Sequence, residues 1–170
     1  MEYSELIGKR YSCKKYSDKV LSKEDLNSIL TAGRLAPTAK NLQEYHVYVI
    51  QSDEGLKKVD SLTPCRYGAP TVLMVTFDQK NTFTYPASKR DSGVEDATIV
   101  ATHLMLAATN AGVDNCWINN FNPEKAEEIF NLAENEKVLM FLDLGFAPEG
   151  VGPLENHFKR MELAEKVSFI

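Results

Sequence analysis

No stretch of the chain approaches the ~18 apolar residues that a membrane-spanning helix needs. The opening residues, MEYSELIGKRYS, lack the apolar core of a secretory signal. Cysteine is scarce: Cys13, Cys65 and Cys116 lie far apart and form no CxxC pair, which argues against a disulfide framework and a thiolate zinc site. Positive charge is also in deficit, with 19 Lys and Arg against 24 Asp and Glu and a formal net charge of −5. General nucleic-acid binding needs a net basic face, so that partner is not expected. The sequence has no GxSxG elbow, no GxxxxGK[ST] loop, no GxGxxG turn and no HExxH pair. The three histidines, His46, His103 and His157, are scattered, and His103 reads as a satisfied core residue. Internal repeats, low-complexity tracts and linkers are missing too. The expectation is a reduced, soluble, cytoplasmic protein with neither a membrane nor a nucleic-acid partner.

What remains is an ordinary globular composition: 170 residues, 44% hydrophobic and 25% charged. A chain of this length buries roughly 68–70% of its unfolded surface, so residues 1–170 read as one domain. Ser22 with Asp25 is a capping signal for a helix that should stop near Leu35, because Pro37 disfavours helical backbone at Ala36. HVYVI (46–50) reads as a strand, and residues 53–61 as a short helix. TVLMVTF (71–77) has no alternation, as expected of a strand covered on both faces.

Residues 78–91 read as a loop, and Ser92 with Glu95 reads as a second capping signal. The helix that follows, to about Ala111 with Gly112 as its C-cap, is apolar on most sides. Such a helix is buried, either centrally or against a partner subunit. Cys116–Ile118 forms a short strand, Asn122-Pro123 opens another helix, and 138–146 is the last strong strand. KVSFI at the end suggests an added edge strand. Helices and strands interleave without strict βαβ repetition, which predicts an α+β or mixed α/β sandwich with one sheet covered by helices.

Two segments carry candidate chemistry. In RYSCKK, residues Arg10, Ser12 and Lys14 alternate, so an extended backbone turns all three to one side. Two cations and a hydroxyl on one edge suit a phosphate, with Arg offering bidentate geometry; a solvated basic turn is the plainer reading. APTAKNLQ (36–43) is a polar loop in which Thr38, Asn41 and Gln43 offer donors and acceptors for a heterocycle's edge.

The pattern R-x-S-x-[RK], a helix, then P-[ST]-x-x-N-x-Q before a strand resembles the nitroreductase family of FMN-dependent oxidoreductases. GAPTVLMV (68–75), AGVDNCWI (111–118), DLGFAP (143–148) and FKR (158–160) resemble further motifs of that family in the same order. The resemblance runs from about Arg10 to Arg160 and marks a compact member. It implies a nitroreductase-like three-layer sandwich, a central mixed sheet flanked by helices, in an intertwined homodimer with FMN at the interface. Arg10, Ser12 and Lys14 would hold the FMN phosphate and ribityl chain, joined by Arg160 and Lys159. Pro37, Thr38 and Asn41 would reach the same cofactor from the other subunit. Trp117, Ile118, Asn119 and Asn120 would lie along the isoalloxazine, with a backbone N–H near Asn119 aimed at N5.

The implied reaction passes a hydride from NADH or NADPH through flavin N5 to a nitroaromatic, quinone or similar acceptor, with no catalytic side chain, no metal and one substrate leaving before the next binds. Departures from the pattern include Lys14 for Arg, Thr38 for Ser, Glu44-Tyr45 for Pro-Trp and Asn120 for Gly. Arg66 is the candidate for a positive charge near flavin N1, and loop 78–91 for a roof over the substrate. The rival readings are a flavin-binding or storage module without turnover, and a dimeric binding domain without catalysis.

Overall fold

The computed structural model describes residues 1–170. In chain order the main elements are α1 (Tyr3–Lys9), α2 (Lys23–Arg34), β1 (Tyr45–Ile50), α3 (Asp53–Leu62), β2 (Thr71–Asp78), α4 (Gly93–Asn110), β3 (Asp114–Ile118), α5 (Pro123–Ile129) and β4 (Glu136–Gly145). Three helices start where a side chain satisfies a free N–H of the first turn. Ser22 Oγ accepts from Asp25 N at 3.0 Å and donates to the Asp25 carboxylate at 2.7 Å, completing the predicted cap of α2. Ser52 Oγ accepts from Gly55 N (3.2 Å) and Asn122 Oδ1 from Lys125 N (2.8 Å) at the heads of α3 and α5.

The predicted Ser92–Glu95 cap of α4 does not form. Ser92 has helical backbone angles, and its hydroxyl accepts from Phe83 N (3.2 Å) across the preceding loop. Gly93 N donates instead to Asp91 Oδ1 (2.9 Å), while Glu95 accepts from Tyr85 and pairs with Arg90. The loop claims both members of the motif, which therefore close residues 78–91 onto α4.

The sheet order is β1-β2-β4-β3 and every strand pairing is antiparallel. The four-stranded sheet is thus antiparallel where a mixed one was expected, and the one parallel contact is an isolated bridge from Ser12, outside its strands, to Asn115. β2 is flanked on both edges and buried at every position but the last, as its unbroken apolar run predicts. Leu73, Val75 and Phe77 join a core with Ile29 of α2 and Ala97, Val100, Ala101 and Leu104 of α4. Val72 and Met74 face the other way, toward Val59 of α3 and Ala126 of α5. The result is a three-layer sandwich.

A bulge between Val75 and Thr76 shifts the register on β4, so Val75 pairs with Met140 and Thr76 with Val138. The extra residue reverses the side-chain parity of β4 beyond that point. Val138 consequently packs with Phe141 and not with Met140.

Only part of α4 is covered by its own chain. Val94 and Ile99 are exposed, and His103 is half-buried, not the core histidine expected. KVSFI forms no strand here; beyond β4 the chain holds only two single-turn helices, Glu155–Phe158 and Leu163–Glu165, with Phe158, Met161, Leu163 and Phe169 exposed. No helix is long and apolar enough to cross a membrane.

The α2–α4 crossing depends on Gly33. A Cβ there would sit 2.6 Å from Leu104 Cδ2 and 2.9 Å from Cγ, and Leu104 is fully buried. Gly33→Ala should lower the urea midpoint, because overpacking costs ~1–3 kcal/mol against a helix-propensity gain of at most ~1 kcal/mol. An unchanged or higher midpoint would show that the crossing yields.

Candidate functional site

Residues 10–14 leave α1 and run beside β3. Cys13 N donates to Asn115 O at 2.9 Å, and Cys13 is fully buried while its neighbours on either side turn outward. Arg10, Ser12 and Lys14 thus line one cleft of about 240 Å³, together with Leu154, Asn156, His157 and Arg160. No carboxylate lines it. A second cleft of about 300 Å³ starts from the same Ser12 and Lys14 and is lined by Cys116, Trp117, Ile118, Asn119 and Asn120 along the end of β3, with Cys65 and Tyr67 from the segment after α3. Trp117 Nε1 donates to Asn119 Oδ1 at 2.8 Å, which ties the indole to its own loop. The arrangement is a cationic, hydroxyl-bearing hollow opening into a hollow with an aromatic and aliphatic lining.

The remaining candidates fall elsewhere. Lys159 lines neither cleft, and Arg160 donates to the carbonyls of His157 and Lys159 (2.7 Å for the second). Pro37, Thr38 and Asn41 also lie outside both clefts within this chain. Their loop is strained: Lys40, Asn41 and Gln43 all have positive φ, a conformation that costs about 1–2 kcal/mol per non-glycine residue. Hydrogen bonds hold it, from Ala39 N to Asp96 Oδ1 (2.9 Å) and from Gln43 N to Thr38 Oγ1 (3.0 Å). Lys40 Nζ lies 4.8 Å from the Phe83 ring centre, so loop 78–91 packs on this segment; none of its residues lines either cleft.

Arg66 is not available as a free charge. Its guanidinium makes a two-pronged pair with Asp60, both contacts 2.6 Å, and donates to Ala69 O at 2.7 Å. The partner lies six residues upstream at the other end of a short turn, which the sequence pattern did not reveal.

Cys65 and Tyr67 carry no motif and escape sequence reading; the left-handed backbone at Tyr67 (φ 53°) and Gly68 (φ 82°) turns this segment beneath the second cleft. Hydrogen bonds from Tyr67 and then Asn120 hold the Cys65 thiol below its ordinary pKa, whereas burial pushes the Cys116 thiol up to about 11. Asp143 of β4 is fully buried, and neither carboxylate oxygen has a hydrogen-bond partner. Burial, only partly offset by Arg66, pushes it up to about 9. No group of three or more His, Cys, Asp or Glu is placed to hold a metal ion.

The sequence model of the nitroreductase family matches residues 7–64 and 62–146. An Archaeoglobus fulgidus protein provisionally named NADH dehydrogenase/NAD(P)H nitroreductase is 30% identical over 152 residues, 85% of each chain. The crystal structure of a nitroreductase family protein from Clostridium difficile 630 superposes with a TM-score of 0.93 at 35% identity, over 99% of this chain and 98% of that one. A nitroreductase-like protein from Exiguobacterium sibiricum 255-15, solved in complex with FMN, shares the fold with a TM-score of 0.86 at 22% identity, over 100% of this chain and 98% of its own. The chain belongs to the nitroreductase family, a family of oxidoreductases.

The donor set suits the flavin nucleotide that family membership implies. Arg10, Ser12, Lys14 and Arg160 offer cationic and hydroxyl donors with no competing carboxylate, and the adjoining cleft offers a tryptophan beside aliphatic and amide groups.

Asp143 makes the fold pH-sensitive. Its folded-state pKa, about 9, lies above the ordinary value of 3.8, so the fold holds one more proton than the unfolded chain between those limits. Its contribution to stability is complete below pH 3.8 and is lost as pH rises toward 9. Asp143→Asn removes that loss, so its stability relative to the parent should rise from pH 5 to pH 8 in urea unfolding. Parallel pH profiles for the two proteins would contradict this.

Proposed function

We propose that this protein is an FMN-dependent oxidoreductase that takes electrons from NADH or NADPH and delivers them to a nitroaromatic, quinone or similar small acceptor. The observation that carries the reading is the junction of the two clefts at Ser12 and Lys14. A phosphate held by the first cleft places a planar ring in the second. The name of the Archaeoglobus fulgidus relative supports the nicotinamide donor, and the FMN bound in the Exiguobacterium sibiricum fold neighbour supports the cofactor.

When bound, the flavin supplies the redox chemistry, accepting a hydride at N5 and passing electrons to the acceptor. The chain's own residues bind and orient. Arg10 and Lys14 neutralise the phosphate, Arg10 through a guanidinium fork, and Ser12 Oγ donates to it. Arg160 closes the same cleft with the donors its backbone contacts leave free, and Lys159 lends charge from outside. Trp117 and Ile118 exclude water along the ring, while Asn119 and Asn120 present amides and backbone N–H groups to its edge. No side-chain acid or base is assigned to the nicotinamide step.

The functional unit in this reading is a homodimer. The uncovered side of α4, with Val94 and Ile99, and the exposed apolar residues Phe158, Met161, Leu163 and Phe169 of the C-terminal segment give a second copy something to bury. Pro37, Thr38 and Asn41 would then reach the flavin held by that copy.

Arg10→Ala should weaken FMN binding tenfold to a hundredfold, because a charge-assisted contact contributes roughly 1.5–3 kcal/mol. Fluorescence titration of FMN reads this directly, and an unchanged dissociation constant would leave Arg10 a solvated basic residue. Because nicotinamide and acceptor use one cleft in turn, initial-rate plots at several acceptor concentrations should be parallel. Intersecting lines with a demonstrable ternary complex would overturn the shared cleft.

A further inference from the structure

Glu44 and Asp96 are both buried, 7% and 4% exposed, and face each other across the base of the 37–43 loop. Both Glu44 oxygens and Asp96 Oδ2 have no hydrogen-bond partner, and only Asp96 Oδ1 is satisfied, by Ala39 N at 2.9 Å. No cation compensates them. Arg90 is paired with Glu95, Lys40 lies over Phe83, and Asp91, whose charge also acts on Glu44, is acidic and accepts from Gly93 N. His46 and Glu136 line the cleft that Glu44 borders, and Glu136 accepts from Tyr48 and Thr76. Asp78, at the end of β2, is occupied by Lys80 N, Asn81 and Asn135, and its own N–H donates to Glu44 O at 2.8 Å. Two bare carboxylates so placed would repel in a water-poor setting. One proton between them converts orphaned acceptors into a donor and an acceptor.

We propose that Glu44 and Asp96 share one proton across a buried hydrogen bond, and that this bond clamps the 37–43 loop in its strained shape, making both side chains positioning residues for the flavin site. The second half rests on the FMN reading given above. The proton sits on Glu44, since Asp96 already accepts from Ala39 N and lies in the first turn of α4, where the helix dipole favours negative charge. With Glu44 protonated, Asp96 is free to accept two hydrogen bonds at once, one from each end of the loop. That accounts for three left-handed residues being tolerated among Lys40, Asn41 and Gln43. Burial, and then the contact with Asp96, raise Glu44 from its ordinary 4.5 to about 7. The clamp's contribution is therefore complete below pH 4.5, declines from there to about 7, and is absent above. In the dimer, a loosened loop withdraws Thr38 and Asn41 from the flavin of the other copy.

Glu44→Gln tests this, because its amide N–H donates to Asp96 at any pH. Urea unfolding of the full-length protein is measured from pH 4.5 to 8, with FMN affinity at pH 6 and pH 8.5. The parent should lose up to tenfold in its folding equilibrium constant per pH unit between 4.5 and 7, relative to the variant, and its FMN affinity should weaken several-fold more than the variant's on going to pH 8.5. Comparing the two proteins cancels the titration of FMN itself. Identical unfolding profiles overturn the shared proton. A difference in unfolding with identical pH dependence of FMN affinity overturns the positioning role. If neither protein binds FMN, the FMN reading fails, and the unfolding comparison still decides the shared proton. Asp96→Asn, which accepts from Ala39 N and donates to the Glu44 carboxylate, should weaken the same pH dependence by removing the neighbouring acid while burial stays. It serves if Glu44→Gln does not fold, and an undiminished pH dependence would then overturn the shared proton.

Discussion

One backbone contact organises the candidate site: Cys13 N donates to Asn115 O, beside the parallel bridge of Ser12 with Asn115. It pins residues 10–14 in an extended form on the edge of β3. Extended backbone alternates its side chains, so burying Cys13 turns Ser12 and Lys14 outward beside Arg10. Asn115 is itself held, with its amide donating to Thr109 Oγ1 at 2.9 Å and to the carbonyls of Met105 and Val113 at 3.3 Å. The cationic cleft is therefore anchored through β3 to α4 and to the main core. The second cleft begins at the end of that same strand, so one strand places both hollows.

Around this frame the fold keeps buried carboxyl groups that a purely structural core would replace with apolar residues. Asp143 on β4 lacks any hydrogen-bond partner, and Glu44 with Asp96 hold three orphaned oxygens at the base of a strained loop. Burying a bare charge is costly, and the usual escape is to stay neutral. Both sites take that route through a raised pKa, at Asp143 chiefly by burial, which Arg66 only partly offsets, and at Glu44 by burial and a neighbouring acid. Each ties the fold to proton uptake, and Glu44 does so beside the loop that carries Thr38 and Asn41.

Sequence patterns that act locally were legible. Ser22 and Asn122 cap their helices because nothing nearby competes for their side chains. The apolar run of β2 marks a strand with both faces covered, and the alternation of Arg10, Ser12 and Lys14 survives as a shared cleft. Features set by distant partners were not legible. Ser92 is diverted by Phe83 N, Arg66 is taken by Asp60, and the bulge on β4 moves Val138 to the opposite face from Met140. Cys65 and Tyr67 reach the second cleft through a left-handed turn that no spacing rule reveals. The C-terminal KVSFI finds no strand partner in its own chain, so its expected edge pairing had nothing local to rest on.

The central claim is that a flavin ring occupies the cleft beside Trp117, the only tryptophan in the chain. Its emission therefore comes from a single position, at the wall of that cleft. Titration of the flavin-free protein with FMN should quench Trp117 fluorescence saturably, with the endpoint at one FMN per chain. Tryptophan emission that stays unchanged while FMN binds, or no binding at all, would contradict the account.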